Sequence, residues 1–218
     1  MRKTLVIVFC AFSFLSTAQD SDLGNWLIYI GSKKFSERWN LHTELQYRNY
    51  NFVGDLEQLL IRTGVGYNLT EGNNNVLLGY GYILSQNYID GQEDKVSINE
   101  HRIFQQFITK QKFGRLALQH RYRFEQRFIE EDFKLRFRYF LAVTAAITRK
   151  TMEAKTLYFS AYNEIFLNTQ KTVFDRNRLY GGLGWKFSDA VRAEFGYMTQ
   201  LFEEGSRDQL NFFVFVNL

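Results

Sequence analysis

Along most of this chain apolar and polar residues alternate with a period of two, the spacing of a half-buried strand rather than a helix. Over 39–48, Trp39, Leu41, Thr43, Leu45 and Tyr47 share one face, and Asn40, His42, Glu44, Gln46 and Arg48 the other. Over 115–128 the apolar row is Leu116, Leu118, His120, Tyr122 and Phe124, opposed by Arg115, Gln119, Arg121, Arg123, Glu125 and Arg127. Phe133 to Val143 alternate with Lys134, Arg136 and Arg138, and Val191 to Leu201 with Arg192, Glu194 and Gln200. Eleven such segments follow, near 24–33, 38–50, 58–69, 75–87, 97–110, 114–128, 132–147, 155–168, 176–187, 191–202 and 207–218. Most run ten to fifteen residues. Strands of soluble proteins cluster near five or six, whereas a tilted strand crossing a bilayer needs about nine to eleven.

The connections read as two alternating sets. Short ones fall around 33–37, 70–75, 109–114, 148–154 and 187–190, and longer ones around 50–57, 86–97, 129–132, 168–175 and 203–208. Short periplasmic turns opposite longer outer loops mark outer-membrane barrels. The chain ends on a last alternating strand, Leu210, Phe212, Val214, Val216 and Leu218, the kind of terminus that barrel-assembly machinery engages. The expected fold is therefore all-β, a transmembrane antiparallel up-and-down β-barrel of 10–12 strands. A lipocalin-like barrel or a sandwich also alternates, with its apolar face inward. Long strands, a densely charged polar face and aromatics such as Trp26, Tyr47, Tyr67, Tyr80, Tyr82, Trp185 and Tyr197, suited to interfacial girdles, favour the membrane. Bacterial single-chain barrels have even strand numbers, so a count of eleven implies either ten wall strands or a twelfth without clear periodicity.

Residues 1–18 read as a cleaved secretory signal, leaving 19–218 as the barrel. Arg2 and Lys3 begin it, Leu5 to Leu15 supply an apolar stretch too short to span a bilayer, and Ser16-Thr17-Ala18 is a small-residue cleavage site. Cleavage removes Cys10, the chain's one cysteine, and with it disulfide, zinc-thiolate and thiol-nucleophile chemistry. It also lowers the basic count from 27 to 25 against 23 acids, so the charge gives no case for nucleic acid. The absence of proline suits ladders that use every backbone N–H.

With the apolar rows facing lipid, the polar rows line the interior. The inward set is Glu44, Arg48, Arg62, Glu100, Arg102, Arg121, Arg123, Glu125, Arg127, Lys134, Arg136, Arg138, Glu164, Arg178, Lys186, Arg192 and Glu194, twelve bases and five acids. One expectation is that these groups interlock as salt bridges and fill a narrow lumen. The other is that unpaired arginines, Arg121, Arg123, Arg127, Arg136 and Arg138 above all, form an anion-preferring constriction or hold a small anionic solute, since guanidinium forks match phosphate and carboxylate. The longer loops are acidic, with Asp55, Glu57, Glu130, Glu131, Asp175 and others. They read as solvated surface or as sites for cations bridging lipopolysaccharide.

Enzyme chemistry finds little support. The histidines His42, His101 and His120 lie in no His-x-Ser arrangement, and Ser160 with Glu164 has no placed base. No metal ligands cluster, and Gly79, Gly81, Gly181, Gly182 and Gly184 form no phosphate loop. No cofactor is expected. The reading is a non-enzymatic barrel, structural or channel-like for a small anion, whose surroundings are outer-membrane lipid and lipopolysaccharide; an outer-membrane lipid hydrolase or acyltransferase is the alternative.

Several short motifs recur together across the chain. They are Leu41…Glu44…Gln46…Arg48; Arg102…Gln105-Gln106; His120-Arg121-Tyr122-Arg123-Phe124-Glu125-Gln126-Arg127-Phe128 with Phe137-Arg138-Tyr139; Tyr162-Asn163-Glu164-Ile165-Phe166…Asn168; and Asn177-Arg178…Tyr180-Gly181-Gly182. In these the chain resembles the Bacteroidetes outer-membrane barrel family catalogued as domain of unknown function 2490. The resemblance implies a bacterial outer-membrane location and no assigned activity. It singles out Glu44, Arg48, Arg102, Arg121, Arg123, Glu125, Arg127, Arg138, Glu164 and Arg178 as interior polar positions. Arg136 joins them on periodicity alone.

Overall fold

A computed structural model describes residues 23–52 and 54–218; the expected signal segment and Cys10 lie outside the described residues. The chain forms eleven strands: β1 (Gly24–Lys34), β2 (Trp39–Asn49), β3 (Leu56–Asn68), β4 (Asn74–Tyr88), β5 (Lys95–Phe113), β6 (Leu116–Ile129), β7 (Asp132–Ala146), β8 (Thr156–Asn168), β9 (Phe174–Lys186), β10 (Val191–Leu201) and β11 (Ser206–Asn217). Each consecutive pair is antiparallel, and β1 meets β11 to close the barrel. All eleven alternating segments are wall strands.

The odd number resolves at the closure. A meander of eleven strands brings its first and last strands together pointing the same way, and β1 pairs with β11 in parallel from Gly24↔Gln209 to Ser32↔Asn217. Parallel bonds are slanted and slightly weaker per residue, and this seam has additional support. On its inner side Trp26, Ile28, Tyr180, Met198 and Phe213 form a buried apolar cluster, joined by Ile30, Tyr162 and Phe215. At one rim Arg207 of β11 reaches Glu57 of β3 at 2.7 Å, passing over the two strands between. Trp26 thus lies inside the barrel and not in a girdle. β1 is apolar on both faces, with Leu27 and Tyr29 outward, so alternation carried no information about which face was which.

Loop length does not separate the two mouths. At the upper mouth, where β1 and β11 begin, the connections 50–55, 89–94, 130–131, 169–173 and 202–205 hold six, six, two, five and four residues. At the lower mouth, 35–38, 69–73, 114–115, 147–155 and 187–190 hold four, five, two, nine and four. The expected contrast fails because hairpin pairing outlasts apolar alternation. The ladder between β4 and β5 continues through Gln86↔Ser97, Asn87↔Val96 and Tyr88↔Lys95, mostly polar positions without alternation that make backbone bonds as well as any other.

The rest of the wall follows the period-two pattern. Leu45, Ile61, Val65, Leu78, Ile103, Phe137, Leu179, Leu183, Phe195 and Phe212 point outward and exposed, while charged side chains point inward and are buried. The interior is filled by side chains at several levels: Leu60, Ile83, Phe104, Tyr158, Phe166 and Met198 are each at most 1% exposed. Two inward glycines make room for this filling. A Cβ at Gly79 would overlap the Phe104 ring, and one at Gly184 the Tyr158 ring.

The parallel seam gives a direct test. Leu27 and Phe212 are register partners on its outer side. In the double variant Leu27→Cys/Phe212→Cys, mild oxidation is expected to give one intramolecular disulfide, since Cα atoms of paired strands lie within bridging range. Mass spectrometry of the linked peptides reads the result, and no crosslink in folded barrel would exclude this closure.

Candidate functional site

The inward charges are organised by register. Glu44 stands opposite Arg62 across β2 and β3, Glu125 opposite Arg136 across β6 and β7, and Glu164 opposite Arg178 across β8 and β9. Two like-charged pairs, Arg102↔Arg127 and Arg123↔Arg138, also face each other. Directly opposed like charges are destabilising, and in both cases a carboxylate is shared between them. Arg102 and Arg127 each place two donors on Glu100, the latter from Nε at 2.6 Å and Nη2 at 3.0 Å. Glu125, fully buried, accepts from Arg136 Nη2 and Arg138 Nη1, both at 2.7 Å, with Arg123 at 3.7 Å. Glu164 accepts from Arg121 and Arg138 at 2.7 Å, with Arg178 at 3.8 Å. Asp175 bridges Arg136 and Arg176 at 2.9 and 3.0 Å.

All eleven candidate residues therefore face the lumen, but the five arginines expected to be unpaired are all paired. Arg121, Arg123, Arg127, Arg136 and Arg138 each have a carboxylate partner. Among the eleven candidate residues, the arginine held without one is Arg48. It donates to Gln46 Oε1 at 3.0 Å and Gln58 Oε1 at 2.7 Å, and its guanidinium lies 3.6 Å from the Trp26 ring. Arg178 is similar, donating to Gln200 at 2.9 Å and lying over Trp26 and Phe166 at 4.8 and 4.5 Å. Ring faces stabilise a buried guanidinium without neutralising it.

The consequence is a cavity of about 70 Å³ near the upper mouth, lined by Arg48, Arg62, Arg102, Arg127, Arg136, Arg138, Arg176 and Arg178 with Gln58 and Phe166. No carboxylate is in its lining; the acids sit behind the arginines they hold. Arg62 Nε is buried and has no acceptor. Arg121 and Arg123 belong to the lattice but not to the cavity wall; they stack over Phe140 and Phe104 at 4.3 and 4.5 Å.

Sequence reasoning missed several members. The loop reading around 168–175 takes in Asp175, and Arg176 opens the 176–187 segment without being counted inward, yet β9 begins at Phe174 and the spacing Arg176, Arg178, Tyr180 puts Arg176 on the inner face. Gln46 and Gln58 share a face with Arg48 and Arg62 and had no charge to mark them. Trp26 and Phe166 are apolar residues on the lumen side, which a rule assigning apolar rows to lipid cannot find.

If the shared carboxylates hold the lattice together, Glu125→Gln leaves Arg136 and Arg138 buried without a full counter-charge. The expected cost is about 3 kcal/mol, read as a lowered urea midpoint of the detergent-solubilised barrel. Glu131→Gln in the exposed turn is expected to change it by less than about 0.5 kcal/mol. Equal midpoints for the two variants would refute the role given to Glu125.

Comparison with known proteins places this arrangement in a family. The family described as a protein of unknown function, DUF2490, matches residues 23–211. No curated protein and no solved structure matches the chain. The matched span runs from the start of β1 into β11 and takes in every arginine of the cavity, and the chain belongs to the DUF2490 family.

Proposed function

We propose that this chain is a bacterial outer-membrane β-barrel, non-enzymatic, whose filled lumen binds a small anion in the arginine cavity instead of conducting freely. The outward belt of Leu, Ile, Val and Phe supports the membrane setting, because monomeric soluble proteins rarely expose contiguous apolar patches beyond a few hundred Å². In that setting lipid and lipopolysaccharide cover the belt, and β11 is the strand presented to the assembly machinery. The filled interior argues against an open pore. Against a hydrolase stands the separation of the histidines: His101 and His120 bond Tyr80 and Tyr139 on the outer face at 2.6 and 2.8 Å, while His42 lies 3.5 Å from Glu44. A nucleophile needs its base within hydrogen-bond reach.

One observation carries the reading: eight guanidiniums converge on one cavity whose lining holds no carboxylate. Uncompensated positive charge inside a barrel is costly, and a bound anion offsets that cost with charge-assisted bonds.

Fractionation and heat-modifiable gel migration test the membrane barrel; the folded protein is expected in the outer-membrane fraction with a mobility that changes on boiling. Calorimetric titration of the refolded barrel with inorganic phosphate tests the site. Saturable binding is expected, weakened at least tenfold by Arg48→Gln, which removes a cavity cation without stranding any carboxylate. Folded barrel with no phosphate binding, or one showing large steady conductance in planar bilayers, would refute the proposal.

A further inference from the structure

Building on the anion-binding reading, we infer that the ligand is a soluble phosphomonoester, its phosphoryl group in the arginine cavity and its organic body in an adjoining vestibule. The vestibule has a volume of about 240 Å³ and shares Arg127 and Arg176 with the arginine cavity. Its walls change character: Ile129 is apolar, Asn168 and Gln170 offer neutral donors and acceptors, Lys134 and Lys171 add positive charge, and the carboxylate of Asp175 is already held by Arg136 and Arg176. Asn168 ends β8, and Gln170 and Lys171 lie in the 169–173 loop, so the vestibule opens at the upper mouth.

Three features select the ligand class. The first is size: about 70 Å³ exceeds the roughly 10–15 Å³ that a single water requires and suits a compact group such as one tetrahedral oxyanion. The second is charge. Seven of the eight cavity arginines contact five carboxylates, Glu44, Glu100, Glu125, Glu164 and Asp175, and Arg48 contacts none; Arg121 and Arg123 draw on Glu164 and Glu125 as well, so bases outnumber acids by at least three. A carboxylate ligand supplies one negative charge, while a phosphomonoester supplies close to two together with three strong acceptor oxygens.

The third is donor availability. Arg48 bonds only neutral amides, Arg178 keeps its carboxylate at 3.8 Å, and Arg62 Nε is buried without an acceptor. Inorganic phosphate fills the cavity but leaves the vestibule unused. A hydroxylated body the size of a monosaccharide uses both, with the Asn168 and Gln170 amides for its hydroxyls and Ile129 for its carbon face. Entry is from the aqueous mouth and not through the wall, which selects a soluble ligand over a lipid headgroup.

The test titrates the refolded full barrel in detergent with glucose 6-phosphate, glucose and inorganic phosphate, and separately with phosphatidic acid vesicles. Glucose 6-phosphate is expected to bind about tenfold tighter than inorganic phosphate, about 1.4 kcal/mol, and glucose not at all. Lys171→Gln, in an exposed loop, is expected to lower affinity for glucose 6-phosphate more than for phosphate. Arg48→Gln is expected to weaken both at least tenfold, with heat-modifiable migration confirming that each variant is folded. Phosphate binding without preference for the sugar phosphate would overturn this inference and leave the anion site standing. No binding of either would remove both, and binding to phosphatidic acid alone would overturn the soluble ligand.

Discussion

The structure depends on carboxylates that are shared. A closed sheet satisfies its own backbone and encloses a narrow interior, and any charge placed there must be paired or carry a large desolvation cost. Here the paired charges are unequal in number. Glu100, Glu125 and Glu164 each take two or three guanidiniums, which lets arginines stand directly opposite one another at Arg102↔Arg127 and Arg123↔Arg138. With the acids drawn behind the arginines, the guanidinium faces turn toward common space. The cavity is a product of how the lattice neutralises itself.

The seam and the site are connected through one side chain. A parallel closure between β1 and β11 is the weakest kind of pairing in this barrel, and the apolar cluster around Trp26 covers it from within. Trp26 is also the ring under Arg48 and Arg178, the two cavity arginines with the loosest hold on a carboxylate. The apolar half of the lumen closes the barrel, and its edge keeps two cations available to a ligand.

How much of this could be read from the residues varies by element. All eleven strands were legible, because outward faces such as Leu41, Leu45 and Tyr47 or Phe133, Phe137 and Tyr139 are uniformly apolar and need only alternate with the inward row. The inward direction of Glu44, Arg138 or Glu164 followed from the same parity. Illegible were the faces of β1, apolar on both sides, and the place of Asp175, which stands in β9 ahead of its visible alternation. The pairing state of each arginine was illegible too, since that is a relation between strands and not a property of one.

The chain's own pattern determined that it forms long two-faced strands and which residues each face carries, because a period of two is local and survives in any register. Only the tertiary structure decided that eleven strands close with a parallel seam, that Glu100, Glu125, Glu164 and Asp175 are each shared, and that Arg48 has no carboxylate. Those outcomes rest on which residue stands opposite which around the closed ring, a long-range register that no single segment encodes.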